Sequence, residues 1–163
     1  MCINDRFESI FNAAVTMQIE FQQPARQSRL NFTYLPLIYG DPIMSTQDTC
    51  CTIVPYFEVP EDQMTAFKSL CEQFVAKTES EAGCLYYGFS FDGNEVHCRE
   101  GYENADALLA HLDNIGDLLE QALQISELTG LEIHGPEAEL AKLREPLADL
   151  PAQYFTLKYG FRR

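Results

Sequence analysis

The stretch GCLYYGFSFDGNEVHCREGYE, residues 83–103, constrains the fold more than any other part of this chain. Asp92-Gly93 is a tight-turn dipeptide, and its glycine supplies the positive φ that a two-residue hairpin turn requires. Before the turn, Leu85, Tyr87, Phe89 and Phe91 alternate with other residues. After it, Val96, Cys98, Glu100 and Tyr102 share one strand face, while Glu95, His97 and Arg99 share the other. Alternation on both arms predicts an antiparallel hairpin with one face turned toward a core. Glu100 breaks the apolar pattern of that face. A buried carboxylate is costly unless it is paired or hydrogen-bonded.

The flanking segments supply the partners. TIVPYFEV (52–59) has strand-forming residues, and Pro55 predicts an edge or bulged strand. Pro60-Glu61-Asp62 opens a helix that runs to about Thr78, with Met64, Phe67, Leu70, Cys71, Phe74 and Val75 at helical spacing. Asn104 is a candidate N-cap for a second helix striped by Ala105, Leu108, Leu109 and Leu112. A further helical piece, IGDLLEQALQIS, follows a kink expected at Gly116. TGLEIHGP (129–136) predicts a short strand, Pro136 opens a small helix, and AQYFTLKYGF (152–161) predicts a last strand. The order β-α-β-β-α-β, then helix and strand, predicts an α+β fold. Its sheet is ferredoxin-like and antiparallel, with helices on one face. Aromatic residues on both hairpin strands leave the other face in need of cover, which predicts a homodimer.

Residues 1–43 read differently. RFESIFNAAVTMQIEFQQ predicts a short amphipathic helix, and the proline-containing PARQSRLNFTYLPLIYGDP an irregular arm. They form an N-terminal extension, and the compact domain spans 44–163. Charge agrees with this division. Residues 1–43 hold three basic and four acidic residues, and 44–163 hold eight and twenty-one. The overall charge of −14 argues against nucleic acid or an acidic membrane surface as partner, since phosphate contacts need clustered Lys and Arg.

A hydrophobic content of 46% indicates a globular chain, yet no apolar run is long enough to span a bilayer. The N-terminus shows no basic stretch followed by an apolar one, so a cytoplasmic location is expected. The six cysteines are then read as reduced thiols. Their spacing with histidine matches no usual zinc pattern, so no metal is expected. Nucleotide-binding glycine loops and the GxSxG nucleophile elbow are absent.

EAGCLYYGFS, the hairpin and EGYENADALLAHL together resemble the antibiotic biosynthesis monooxygenase-like domains. Gly83, Cys84 and Leu85 match the family's strand start, and Glu100, Tyr102, Ala107, Leu108 and His111 match its strand-to-helix segment. The resemblance covers roughly residues 50–125. It implies a dimeric α/β barrel, and for many members oxygenation of a quinol-type substrate by O2 without a cofactor. The heme-degrading branch uses an Asn-Trp-His set. Here the Trp position is Tyr102 and the first strand has no Asn, so heme breakdown is not expected.

His111 lies about 110° from the centre of its helix's apolar stripe, a flank position that can look into a cleft between helix and sheet. There it acts as a base or orients a substrate hydroxyl, or it is a structural histidine bonded to a neighbour. Glu100 raises the basicity of His111 or anchors the strand end. Tyr102 lines the pocket or simply packs. The resemblance adds Tyr86 or Tyr87 as substrate-binding groups beside them. The favoured reading is a cofactor-independent monooxygenase acting on a small aromatic or quinol-type molecule. Its rivals are a non-catalytic small-molecule-binding or stress-associated dimer of the same fold, and heme binding.

Overall fold

The computed structural model describes residues 48–162. The helix and arm expected over residues 1–43, and the domain start near Met44, lie outside the described residues. Five strands, β1 (Cys51–Glu58), β2 (Cys84–Asp92), β3 (Glu95–Tyr102), β4 (Glu127–Gly135) and β5 (Gln153–Thr156), form one sheet in the order β2-β3-β1-β4-β5. Three helices join them: α1 (Met64–Thr78), α2 (Ala105–Ile125) and α3 (Glu137–Arg144). The first four strands pair antiparallel in the ferredoxin-like order. The sheet is nevertheless mixed and open. β5 runs parallel to β4 because the chain crosses over through α3 before returning.

From Tyr87 onward the hairpin forms as its alternation predicts, whereas a register shift between Cys84 and Tyr86 leaves Leu85 without a strand partner and exposed. Gly93 turns it at φ 60°, and Tyr87, Phe89 and Phe91 pair with Glu100, Cys98 and Val96 on the inner face. That face packs with Ile53, Phe57, Leu131 and Ile133 against the buried sides of the helices, chiefly Phe67, Phe74, Leu108, Leu112 and Ile115. Pro55 lies in the middle strand, not at an edge. The β1–β3 pairing skips Val54 and Pro55, and the β1–β4 register shifts between Tyr56 and Phe57. A proline in a central strand needs such a gap because it has no N–H for the ladder.

α2 runs unbroken through Gly116 over 21 residues, so the expected division into two helical pieces does not occur. A single glycine lowers helix propensity by about 1 kcal/mol, which the buried face of this helix outweighs. The N-terminus of α2 is held twice. Asn104 accepts from the Ala107 N–H at 2.9 Å, and Glu139 of α3 accepts from the Ala105 N–H at 3.0 Å. The last strand is shorter than expected. β4 ends at Gly135 before Pro136, and the final bond along that edge is Leu157 N–H to the Gly135 carbonyl at 2.7 Å. Among the described residues, no helix is long and apolar enough to cross a membrane.

Candidate active site

The inner face of β3 and the first turns of α2 converge on a buried polar cluster. His111 is 1% exposed and Glu100 is 4% exposed. His111 Nδ1 lies 2.9 Å from Glu81 Oε2, and its other nitrogen, Nε2, lies 3.1 Å from Glu100 Oε2. The second is an ion-pair contact rather than a directed hydrogen bond, which leaves Nε2 a buried polar atom without a hydrogen-bond partner. The Tyr102 hydroxyl donates to the same Glu100 oxygen. Asn114, one turn beyond His111, donates through Nδ2 to Glu81 Oε1 at 2.6 Å. The rings of Tyr102 and Tyr87 sit 4.9 and 5.5 Å from the imidazole.

Local sequence explains the convergence. Residues two apart on a strand share a face, so Glu100 and Tyr102 point together into the helix layer. Glu81 reaches His111 because the segment before β2 lies almost on α2. A Cβ added at Gly83 would sit 2.5 Å from the Ala107 side chain, so only glycine permits the approach. The segment is fixed by the bonds from Cys84 N–H to the Glu81 carbonyl at 3.1 Å and from Glu103 N–H to the Gly83 carbonyl at 2.9 Å.

Burial alone pushes the His111 imidazolium toward the neutral form. The close contact and charge of Glu100, followed by the charge and hydrogen bond of Glu81, outweigh burial and hold its pKa above the ordinary 6.5. Burial, then the charge of Glu100, pushes the Tyr102 hydroxyl far up, so it stays a proton donor. Tyr87 is raised for the same two reasons. The cluster thus favours the imidazolium form of His111 and places the ring between two carboxylates that carry further donors.

A narrow cleft of about 50 Å³ opens from the pair between α2 and the sheet. Glu100 and His111 form its polar end, and Ile53, Pro55, Leu112 and Ile115 line its inner part. Tyr102 and Tyr87 stand behind the pair and do not line the cleft. Tyr86 does not join them. It lies on the opposite sheet face, 3.1 Å from the Thr52 hydroxyl and beneath the Arg99 guanidinium. The two residues that sequence reasoning passed over are Glu81 and Asn114. Glu81 immediately precedes the Ala-Gly-Cys start of β2, and Asn114 follows His111 at a helical i+3 interval. Those offsets were the available signals.

The sequence profile of the antibiotic biosynthesis monooxygenase family matches residues 51–116, a span that contains all six residues of the cluster. MupZ from Pseudomonas fluorescens is 49% identical, with a TM-score of 0.68 over 70% of this chain and 94% of that one. The chain belongs to the antibiotic biosynthesis monooxygenase family. Rv0793 from Mycobacterium tuberculosis is a more distant likeness, at 23% identity and TM-score 0.48 over 53% of this chain and 94% of that one. A conserved protein from Methanosarcina mazei Go1 is similar at 18% identity and TM-score 0.48 over 53% and 91%. No curated protein matches the chain. For this family member, the profile spans β1, α1, the hairpin and the part of α2 that carries His111.

Proposed function

We propose that this protein is a cofactor-independent monooxygenase. It removes a proton from an electron-rich quinol- or enol-type substrate. O2 takes electrons from the resulting anion and bonds to its carbon as a hydroperoxide. The hydroperoxide loses water, so that one oxygen atom stays in the oxidised product and the other leaves as water. The observation that carries the reading is the His111–Glu100 pair, 3.1 Å apart and buried at the polar end of an otherwise apolar cleft. Glu81 holds Nδ1, so Nε2 is turned toward Glu100 and toward a substrate in the cleft. This is the logic by which a carboxylate orients a catalytic imidazole. The pair takes the substrate proton, Glu100 as carboxylate and His111 as the orienting cation, and Tyr102 fixes Glu100 through its hydroxyl. A fixed cation beside a developing anion stabilises it more strongly in a dry pocket than in water. The family match supports the oxygen chemistry, and the site supports the proton transfer.

A second reading rests on the same geometry. An imidazolium beside a carboxylate can give a proton as well as take one, so the site also suits a proton-transfer reaction that needs no oxygen. The partner in either case is a small molecule. The active species is proposed to be a homodimer joined through the outer sheet face, where Tyr56 and Phe155 remain 38% and 43% exposed.

Oxygen uptake by the purified protein across a panel of hydroquinones, with and without a chelator, tests the proposal. Chelator-insensitive uptake that is lost in Glu100→Gln and His111→Gln is expected. Substrate consumption without oxygen uptake would transfer the conclusion to the second reading.

A further inference from the structure

We infer that the cleft takes a neutral molecule with a straight aliphatic tail, which enters functional group first and lays its chain along α2. The inference rests on the proposed site, and it adds the shape and polarity of what that site accepts. Three observations converge. First, apart from the polar pair, the cleft wall is entirely aliphatic. It contains no Phe and no Tyr, although the described residues contain many of both. A flat quinol ring would find no aromatic face to stack on there.

Second, the wall is long and graded. His111, Ile115, Leu119 and Leu123 recur on one side of α2, so the cleft follows the helix for about 18 Å at 1.5 Å per residue. His111 and Ile115 are buried, whereas Leu119, Leu123 and Leu128 are only partly so. The reacting pair is therefore the closed end and the leucines are the mouth. Third, the closed end presents the Glu100 carboxylate and the Nε2 of His111, which lacks a directed partner, with the Glu81 carboxylate behind the ring on Nδ1. A hydroxyl or carbonyl can meet Nε2 and Glu100, but a carboxylate head adds a third like charge to a buried site.

The test is binding, measured by calorimetry on the full chain, with the straight-chain alcohols from butanol to dodecanol, dodecanoate and unsubstituted hydroquinone. Affinity should rise by about fourfold per added methylene, the value of burying one such group, through to dodecanol, whose extended chain is still shorter than the cleft. Dodecanoate should bind at least tenfold more weakly than dodecanol. Leu119→Trp should make the rise level off at a shorter chain while butanol binding is kept, with helix content checked by circular dichroism. If that variant fails to fold, Leu123→Phe one turn further along makes the same test.

A series flat with length, or hydroquinone binding as tightly as the long alcohols, would overturn the inference. So would a folded mouth variant with an unchanged series. No turnover enters these measurements. A protein that binds the alcohols as expected but takes up no oxygen would keep this inference and refute the oxygenase reading.

Discussion

At His111 two opposing effects meet. Burial disfavours the imidazolium, and the carboxylates of Glu100 and Glu81 favour it and prevail. Because the folded pKa is raised above the unfolded value, the stabilisation is fully present below about pH 6.5 and is lost as pH rises through the folded value. Thermal melts should therefore show a midpoint that falls as pH rises above about 6.5 in the wild type, with a flatter slope in His111→Gln. Removing the imidazole altogether strands the Glu100 carboxylate in the interior. His111→Ala should cost about 3 kcal/mol in urea unfolding, a magnitude typical of breaking one side of a buried ion pair. Tyr102→Phe removes a hydrogen bond to a charged group and should cost about 2 kcal/mol, with a drop in kcat larger than any change in KM. Of this cluster, Glu100, Tyr102, Tyr87 and His111 were legible in the sequence. Strand alternation and the helical wheel fix which face a residue occupies. Glu81 was not legible, because it comes from a connecting segment whose path is set by the close packing of Gly83 on Ala107.

Among the elements, α2 matters most, since it carries His111, Asn114 and one wall of the cleft. Its N-terminus is held by a local cap and a distant one. The Asn104 cap was readable from sequence, and Asn104→Ala should cost about 1 kcal/mol. The Glu139 cap joins elements 34 positions apart and has no local signature. The Ala105 N–H, followed by Lys142, holds the Glu139 carboxyl below its ordinary 4.5. Its contribution is present above that ordinary value and fades as pH falls through the folded one. Acid unfolding of Glu139→Gln should begin from a lower stability and show a shallower acid limb than the wild type. Gly83→Ala forces a methyl to within 2.5 Å of Ala107. It should destabilise by roughly 2 kcal/mol and displace Glu81, so the pH dependence of turnover should shift with it. The central position of β1 shows where local reading stops. Pro55 signals a broken ladder, and that signal was sound, but strand order is decided by long-range pairing that no single segment carries.

For the whole molecule, the ferredoxin-like order follows from the pattern of elements, whereas the parallel β5 does not, because its direction depends on where α3 delivers the chain. The layers assign different tasks to the two sheet faces. The inner face holds the buried His111–Glu100 cluster and the cleft. The outer face presents Tyr56, Tyr86, His97, Arg99 and Phe155, a mixed apolar and charged surface suited to a second copy. Sedimentation equilibrium should return a dimer, and Tyr56→Glu should shift it toward monomer while leaving the far-ultraviolet circular dichroism unchanged. The most direct test of the central claim is a single-turnover reaction under isotopically labelled dioxygen. The substrate is a hydroquinone bearing a straight alkyl tail, and both product and solvent are analysed by mass spectrometry. One labelled oxygen atom is expected in the product and the other in water, with incorporation lost in Glu100→Gln and His111→Gln. Product formed without label, or label incorporated equally well by both variants, would contradict it.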